Sequence, residues 1–284
     1  MNNLTLLKEY NFRDLGNHLT QTGQKIKPKT LFRSSKLFGI SKIDVDLLQS
    51  YGITKVIDFR SANEIKKAPD PDIKNIKNIK NIVIPIFYND DSELTEFPIE
   101  FFNKSDAGFQ HMIKTYDQMI NQKQSKLGYK KFFKLLLSHP KDESLLFHCS
   151  MGKDRTGIAS LFLLYILGVD MNDIFHDYLL SNKYLINVRK ENIEYVNNHS
   201  GNVILMHNLL SLSSAKEEYI NRVLNVLDKE YGGILRYINT ELGISSQEIE
   251  ELKDRYLFRI VSTKNEYITV RTAVLFLSNS TNLT

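Results

Sequence analysis

The chain has 284 residues, 42% of them hydrophobic and 25% charged, which is the composition of an ordinary globular protein. At that length about three quarters of the surface exposed on unfolding can be buried, so no covalent staples are needed. The balance of 37 basic against 33 acidic residues, net +4 and evenly spread, excludes a nucleic-acid groove and a polybasic membrane anchor while leaving small anionic groups as ligands. One cysteine, Cys149, excludes an internal disulfide framework and any cysteine-based metal cluster, and makes a reducing, cytoplasmic location the default expectation.

Met1 to Tyr10 lack both a basic start and a continuous apolar stretch, so no signal peptide is expected in the chain as given; secretion would require a leader removed before Met1. In chain order, Thr30 to Arg33, Ile53 to Asp58, Asn81 to Ile86 and Ser144 to His148 read as strands. Between the first two, Asp44 to Tyr51 reads as a helix with Ser41 as N-cap and Gly52 as its stop. The segment Ile73 to Asn81 repeats Ile, Lys and Asn at three-residue spacing after Pro69 and Pro71; this is far too short a unit for a solenoid and reads as a surface loop. Tyr129, Phe132, Phe133, Leu136 and Leu137 recur at helical spacing until His139 and Pro140 end the pattern. The apolar run Ile158 to Val169 falls short of the roughly 20 residues that span a bilayer and reads as a buried helix, so no stable membrane insertion is expected.

Beyond Gly168 the pattern is almost entirely helical. Met171, Ile174, Phe175, Tyr178 and Leu179 form one face, and two capping boxes are predicted, Ser214 with Glu217 and Ser245 with Glu248. The second starts an amphipathic stretch to about Phe258, after which Tyr267 to Leu277 has β character. Strands alternating with helices predict an α/β fold: a central, mostly parallel twisted sheet flanked by helices, with a helix-rich C-terminal half. The expected division is a catalytic domain over residues 11–258 and a tail over 259–284.

The segment that carries chemistry is His148 Cys149 Ser150 Met151 Gly152 Lys153 Asp154 Arg155 Thr156 Gly157, between a predicted strand and a predicted helix. A loop of that size can curl its backbone N–H groups around a tetrahedral anion, and the helix N-terminus adds partial positive charge. Ser150, Met151 and Gly152 supply backbone donors, and Gly152 allows close approach of the phosphate. The same field stabilises a thiolate, an effect that brings cysteine pKa values from about 8.5 to roughly 3.5 to 7.5 in such settings. Cys149 is then a nucleophile at neutral pH, and Arg155 offers a planar fork for two phosphate oxygens. By average residue usage, a match to the fixed positions arises by chance in on the order of one in a hundred thousand chains. A buried structural cysteine would leave the rest of the segment unexplained. A nucleotide-binding Walker loop fails because Phe147 stands where its first Gly belongs and Asp154 follows the lysine in place of Ser or Thr.

The segment resembles the signature loop of the cysteine-dependent protein tyrosine phosphatase superfamily, and the form Gly152 to Gly157 resembles its bacterial atypical branch, which is similar to lipid phosphatases. Asn11 to Gly16, Leu31 to Ser35, Ile57 to Ser61 with Glu64, and Asp177 to Asn182 extend the resemblance over about Asn11 to Phe258. Asn17 stands where the family often has a second glycine, and asparagine tolerates left-handed backbone better than most residues.

The resemblance implies phosphomonoester hydrolysis through a cysteinyl-phosphate, on phosphotyrosine and also phosphoserine, phosphothreonine and phosphoinositides, with a phosphoprotein or phosphoinositide as partner and no cofactor. It implies that Thr156 hydrogen-bonds the thiolate and that His148 orients the loop, a role a hydrogen-bonded core histidine also fills. The resemblance points to Asp154, the position the atypical branch uses, as the general acid, with Asp90, Asp91, Asp106 and Asp117 as rivals that could sit on a loop over the site. Asp58 and Arg60, near the end of a predicted strand, brace the loop as an ion pair or contact substrate. Lys153 contacts a second phosphate or serves as a partner of Asp154. No histidine lies in a metal-ligand motif, so no metal is expected. The alternatives are a catalytically inactive phospho-ligand binding module, against which Cys149, Arg155 and Thr156 all stand, and a sulfurtransferase, which would not call for Arg155 Thr156 Gly157.

Overall fold

The computed structural model describes residues 10–71, 79–87 and 98–258. Five strands form one sheet: β1 (Arg13–Asp14), β2 (Leu31–Ser34), β3 (Ile53–Asp58), β4 (Lys80–Val83) and β5 (Ser144–His148). Their spatial order is β1-β2-β5-β3-β4, with β1 antiparallel to β2 and the other four parallel. β3 and β5 have the bounds read from the sequence, and β2 is shifted by one residue. β4 stops at Val83 rather than Ile86; Pro85 lacks the N–H a ladder needs, although the amides of Ile84 and Ile86 still donate to Asp58 and Phe59.

The central strand β5 is buried at all five positions, as a parallel strand covered on both faces must be. Its side chains alternate between two cores: Leu145 and Phe147 join Leu31 and Ile57 on one face, and Leu146 joins Phe32 and Val56 on the other. The second core is closed by helix α1 (Lys42–Ser50), which starts in the Ser41 capping box with Asp44. Helix α2 (Ala62–Lys67) follows β3 and opens on another capping box, Ser61 with Glu64.

The larger face carries the helical half: α3 (Glu100–Asn103), α4 (Ala107–Asn121), α5 (Lys123–Ser138), α6 (Arg155–Ile166), α7 (Met171–Tyr184), α8 (Ile186–His199), α9 (Val203–Ser213), α10 (Glu217–Tyr231), α11 (Ile234–Thr240) and α12 (Ser246–Tyr256). In α6 every residue except Tyr165 is buried, so it sits centrally beneath the other helices. The predicted box at Ser245 forms, whereas that at Ser214 does not: Lys216 is the N-cap of α10 and gives no side-chain cap. Ser214 and its neighbours are held otherwise, since the Asn182 amide bonds both ways to the Ala215 backbone. No helix among the described residues is long and apolar enough to cross a membrane. The β character read at Tyr267 to Leu277, the tail over 259–284 and most of the biased segment Ile73 to Asn81 lie outside the described residues.

Two pairings place the site. His148 is in register with Ser34 on one side and Asp58 on the other, so the C-terminal ends of the three middle strands converge on the residue before Cys149. This is where open α/β sheets form their crevices.

Candidate active site

The loop from Cys149 to Asp154 joins the end of β5 to the start of α6. Three outside donors grip its carbonyls: the Lys36 amide donates to Ser150 at 3.1 Å, the Asn11 side chain to Met151 at 2.9 Å, and Arg33 to Gly152 at 2.7 Å. With the carbonyls turned outward, no amide from Ser150 to Asp154 donates to a protein acceptor among the described residues. An anion seated in the loop would satisfy them.

Gly152 takes φ +64°, and a Cβ there would stand 2.2 Å from the Ser34 carbonyl oxygen. The loop therefore packs on the end of β2 in a way only glycine allows. Gly152→Ala is expected to cost about 1–2 kcal/mol from the backbone conformation alone, more from the clash, and to lower kcat/KM by displacing the amides. Thermal denaturation and steady-state kinetics check this; an unchanged Tm would show that the loop can relax. Asn17, the departure noted above, adopts φ +70° and makes its turn without glycine.

Behind the loop, Asp177 of α7 joins two arginines. Its Oδ1 accepts from Arg13 at 2.7 Å and its Oδ2 from Arg33 at 2.5 Å. Burial would raise the Asp177 pKa, but the charges of Arg13 and Arg33 hold it well below the usual carboxylate range. Arg33 itself is pushed down to about 10 by burial and by Arg13, against the pull of Asp177 and Cys149. Its guanidinium thus links the α7 carboxylate to the Gly152 carbonyl.

His148 is fully buried among Asp58, Asp70 and Arg60. Its Nε2 lies 3.2 Å from Asp70 Oδ2 and its Nδ1 3.9 Å from Asp58 Oδ1. Burial opposes its protonation, but the two carboxylates raise its pKa overall. These three residues place ligand atoms within 4.8 Å of one another, a proximity the sequence did not reveal. A cation already serves the cluster: Arg60 donates to Asp58 Oδ2 at 2.8 Å and lies 2.9 Å from Asp70 Oδ2. The arrangement is a buried charge network beside the loop in which Asp58 and Arg60 are paired at 2.8 Å, the geometry of the first of the two readings left open.

Arg155, the first residue of α6, directs its fork at Glu64 with two contacts of 2.6 Å. Glu64 Oε1 also accepts from the Ser150 hydroxyl at 2.5 Å, and Oε2 from the Ser61 amide at 2.8 Å. The capping carboxylate of α2 is therefore the same group that aims Arg155. Burial would raise its pKa, but the hydrogen bonds and charge of Arg155, with Ser150 and Ser61, bring it down to about 2. A depressed pKa contributes stability that is fully present above the ordinary value of 4.5 and is lost as pH falls through about 2. Glu64→Gln is expected to lower stability by about 3–5 kcal/mol near neutrality, leaving Arg155 buried without its partner. It should also flatten the fall of Tm between pH 4.5 and 2; an acid profile parallel to the parent's would contradict this coupling.

Thr156 Oγ1 is buried with no hydrogen-bond partner among the described residues, on the second residue of α6 next to the loop. Asp154, just before α6, has a side chain 20% exposed, and its Oδ1 accepts from the Tyr116 hydroxyl at 2.6 Å. Lys153 is wholly buried: its ammonium donates to the carbonyls of Leu212 at 2.5 Å and Ser214 at 3.0 Å and lies 3.3 Å from Asp154 Oδ1. Of the two roles read for Lys153, this arrangement is that of a partner to Asp154, tied also to the end of α9.

A buried cysteine at a strand end, loop amides with no protein acceptor among the described residues and a buried arginine at a helix start lie on one segment, and a profile of the tyrosine phosphatase family matches residues 4–258. The chain belongs to that family. A tyrosine-protein phosphatase of Nostoc commune is 28% identical over 225 residues, 78% of this chain and 72% of that one. The triple specificity protein phosphatase PtpB of Mycobacterium tuberculosis is 24% identical over 271 residues, 86% and 95% of the two chains. A Cupriavidus necator protein, named provisionally as a tyrosine-protein phosphatase, is 25% identical over 260 residues, 87% and 85%.

Among the rival acids of this phosphatase, Asp117 is paired with Arg222 at 2.7 Å, and Asp106 accepts from Gln110 four residues on. Asp90 and Asp91 lie outside the described residues. The residues missed at the sequence level are Glu64 as the partner of Arg155, Asp70 as the partner of His148, and Tyr116 as the partner of Asp154. Glu64 is named in the sequence only as part of the resembling segment Ile57 to Ser61 with Glu64; its three-residue spacing from Ser61 is a capping-box signal that was not used.

Proposed function

We propose that the protein hydrolyses phosphomonoesters through a cysteinyl-phosphate intermediate, on phosphotyrosine, phosphoserine or phosphothreonine, and phosphoinositides, in the manner of the atypical bacterial branch. The observation that carries this reading is the loop whose amides from Ser150 to Asp154 are left for an anion, with Cys149 and Arg155 at its two ends. In the first step the Cys149 thiolate forms a bond to phosphorus while the ester P–O bond breaks. Asp154 gives a proton to the departing oxygen. In the second, water attacks phosphorus, Asp154 takes its proton back, and the S–P bond breaks to return thiolate and inorganic phosphate. Arg155, held in plane by Glu64, and the inward amides bind the equatorial oxygens through both steps. Thr156 Oγ1 is available to hydrogen-bond the returning thiolate.

Catalysis in this scheme uses no cofactor and no metal. The catalytic unit is residues 11–258, and dependence on a thiolate fits a reducing compartment. The breadth of substrates rests on the M. tuberculosis relative named for triple specificity. Parallel assays with a phosphotyrosine peptide, a phosphoserine peptide and phosphoinositide vesicles test it. Phosphate release from all three is expected; release from the phosphotyrosine peptide alone would reject the broad reading, and none from any would reject the hydrolase.

A further inference from the structure

The protein donors to Asp154 converge on one of its two oxygens. Oδ1 accepts from Tyr116 at 2.6 Å and lies 3.3 Å from the Lys153 ammonium. No donor among the described residues reaches Oδ2. Tyr116 is fully buried in α4, set against the ring of Tyr219 at 5.3 Å, and its hydroxyl lies 2.7 Å from that of Tyr178. A phenol has one proton. Since that of Tyr116 goes to Asp154, the Tyr178 hydroxyl donates to Tyr116, and the chain of donors runs one way, from Tyr178 through Tyr116 to Oδ1. The Tyr178 ring packs closely on Gly157 in the first turn of α6, where a Cβ would stand 3.1 Å from it.

In a carboxylic acid the carbonyl oxygen is the better acceptor and the other carries the hydrogen. A phenol donating to Oδ1 therefore assigns the transferable proton to Oδ2. We infer that Tyr116 is a positioning residue for the general acid, its hydroxyl holding Asp154 Oδ1 so that the proton for the leaving oxygen sits on Oδ2, with Tyr178 orienting Tyr116. The inference rests on the reading of Asp154 as the acid. Both phenols are suited to a fixed donor role, because burial and the nearby Asp154 keep their pKa values well above the ordinary 10. Neither hydroxyl is used elsewhere in the proposed reaction.

The experiment measures kcat and KM on a phosphoserine peptide, which needs a protonated leaving group, and on p-nitrophenyl phosphate, which does not. Tyr116→Phe is expected to slow the peptide roughly tenfold more than the aryl ester, in kcat rather than KM. Tyr178→Phe should give the same preference at smaller size, and serves also if the first variant folds poorly. In an Asp154→Asn background, Tyr116→Phe should cause no further selective loss. Equal slowing of both substrates by both tyrosine variants, or an undiminished selective loss in the Asp154→Asn background, would overturn the inference. If Asp154→Asn is itself selective, the acid assignment survives that result. If it slows both substrates equally, the acid assignment and this inference fall together.

Discussion

Replacing Cys149 with serine is expected to abolish phosphate release from every substrate while leaving phosphate-ester binding within a few-fold of the parent. A serine hydroxyl at neutral pH is a far weaker nucleophile than a thiolate, and loss of a catalytic nucleophile commonly costs on the order of 10⁴-fold or more in kcat. Binding survives because the cradle does not depend on the sulfur. The Ser150, Met151 and Gly152 carbonyls stay gripped by Lys36, Asn11 and Arg33, so the amides remain turned inward. Removing a thiolate also removes one negative charge facing a dianion. The check is single-turnover kinetics beside titration calorimetry with a slowly hydrolysed phosphate ester. Hydrolysis above a few per cent of the parent would end the thiolate mechanism, and lost binding would mean that Cys149 organises the loop rather than attacking from it.

The parts of this molecule legible in its sequence are those determined by neighbours along the chain. Strands β3 and β5 were read to the residue because each is a short apolar run bounded by turn or helix signals. The N-cap at Ser41 and the box at Ser245 are legible because both are interactions with the next three residues of the chain; the Asp44 half of the Ser41 box is added by the structure. Ser214 with Glu217 had the same spacing and failed, because Asn182 from another helix holds that turn. The signature loop was legible because its residues must be contiguous to curl.

What could not be read is how distant segments meet it. Glu64 is 91 residues from Arg155, and Tyr116 is 38 from Asp154. Local pattern fixes neither distance. Lys153 shows this most clearly: a lysine inside an anion-binding loop reads equally as a ligand for a second phosphate, and only the position of the end of α9 turns its ammonium toward the Leu212 and Ser214 carbonyls. A buried cation so placed ties the loop to the helical half of the molecule. Helix α7 does the same from the other side, offering Asp177 to Arg13 and Arg33, Tyr178 to Tyr116, and Asn182 to the turn before α10. The Asp177 to Asn182 segment marked by resemblance is thus a scaffold on one helix, with Asp177, Tyr178 and Asn182 each holding a different part of the site.

Asp154→Asn is expected to slow a phosphoserine peptide or an inositol phosphate by roughly a hundred- to ten-thousand-fold while sparing p-nitrophenyl phosphate, the range that general acid catalysis supplies. An alkoxide is a poor leaving group and departs only as it is protonated; a nitrophenolate departs without help. Asparagine keeps the shape of Asp154 and can still accept from Tyr116 through its carbonyl, so the loop and its amides should be undisturbed. Of the rivals, Asp117 is paired with Arg222 and Asp106 accepts from Gln110 of its own helix. Asparagine at each of Asp90, Asp91, Asp106 and Asp117, measured on the same two substrates, completes the test. If Asp154→Asn slows both substrates alike and one of these four produces the leaving-group dependence, the proton comes from a separate loop, and the mechanism is that of the common tyrosine phosphatases rather than the atypical branch.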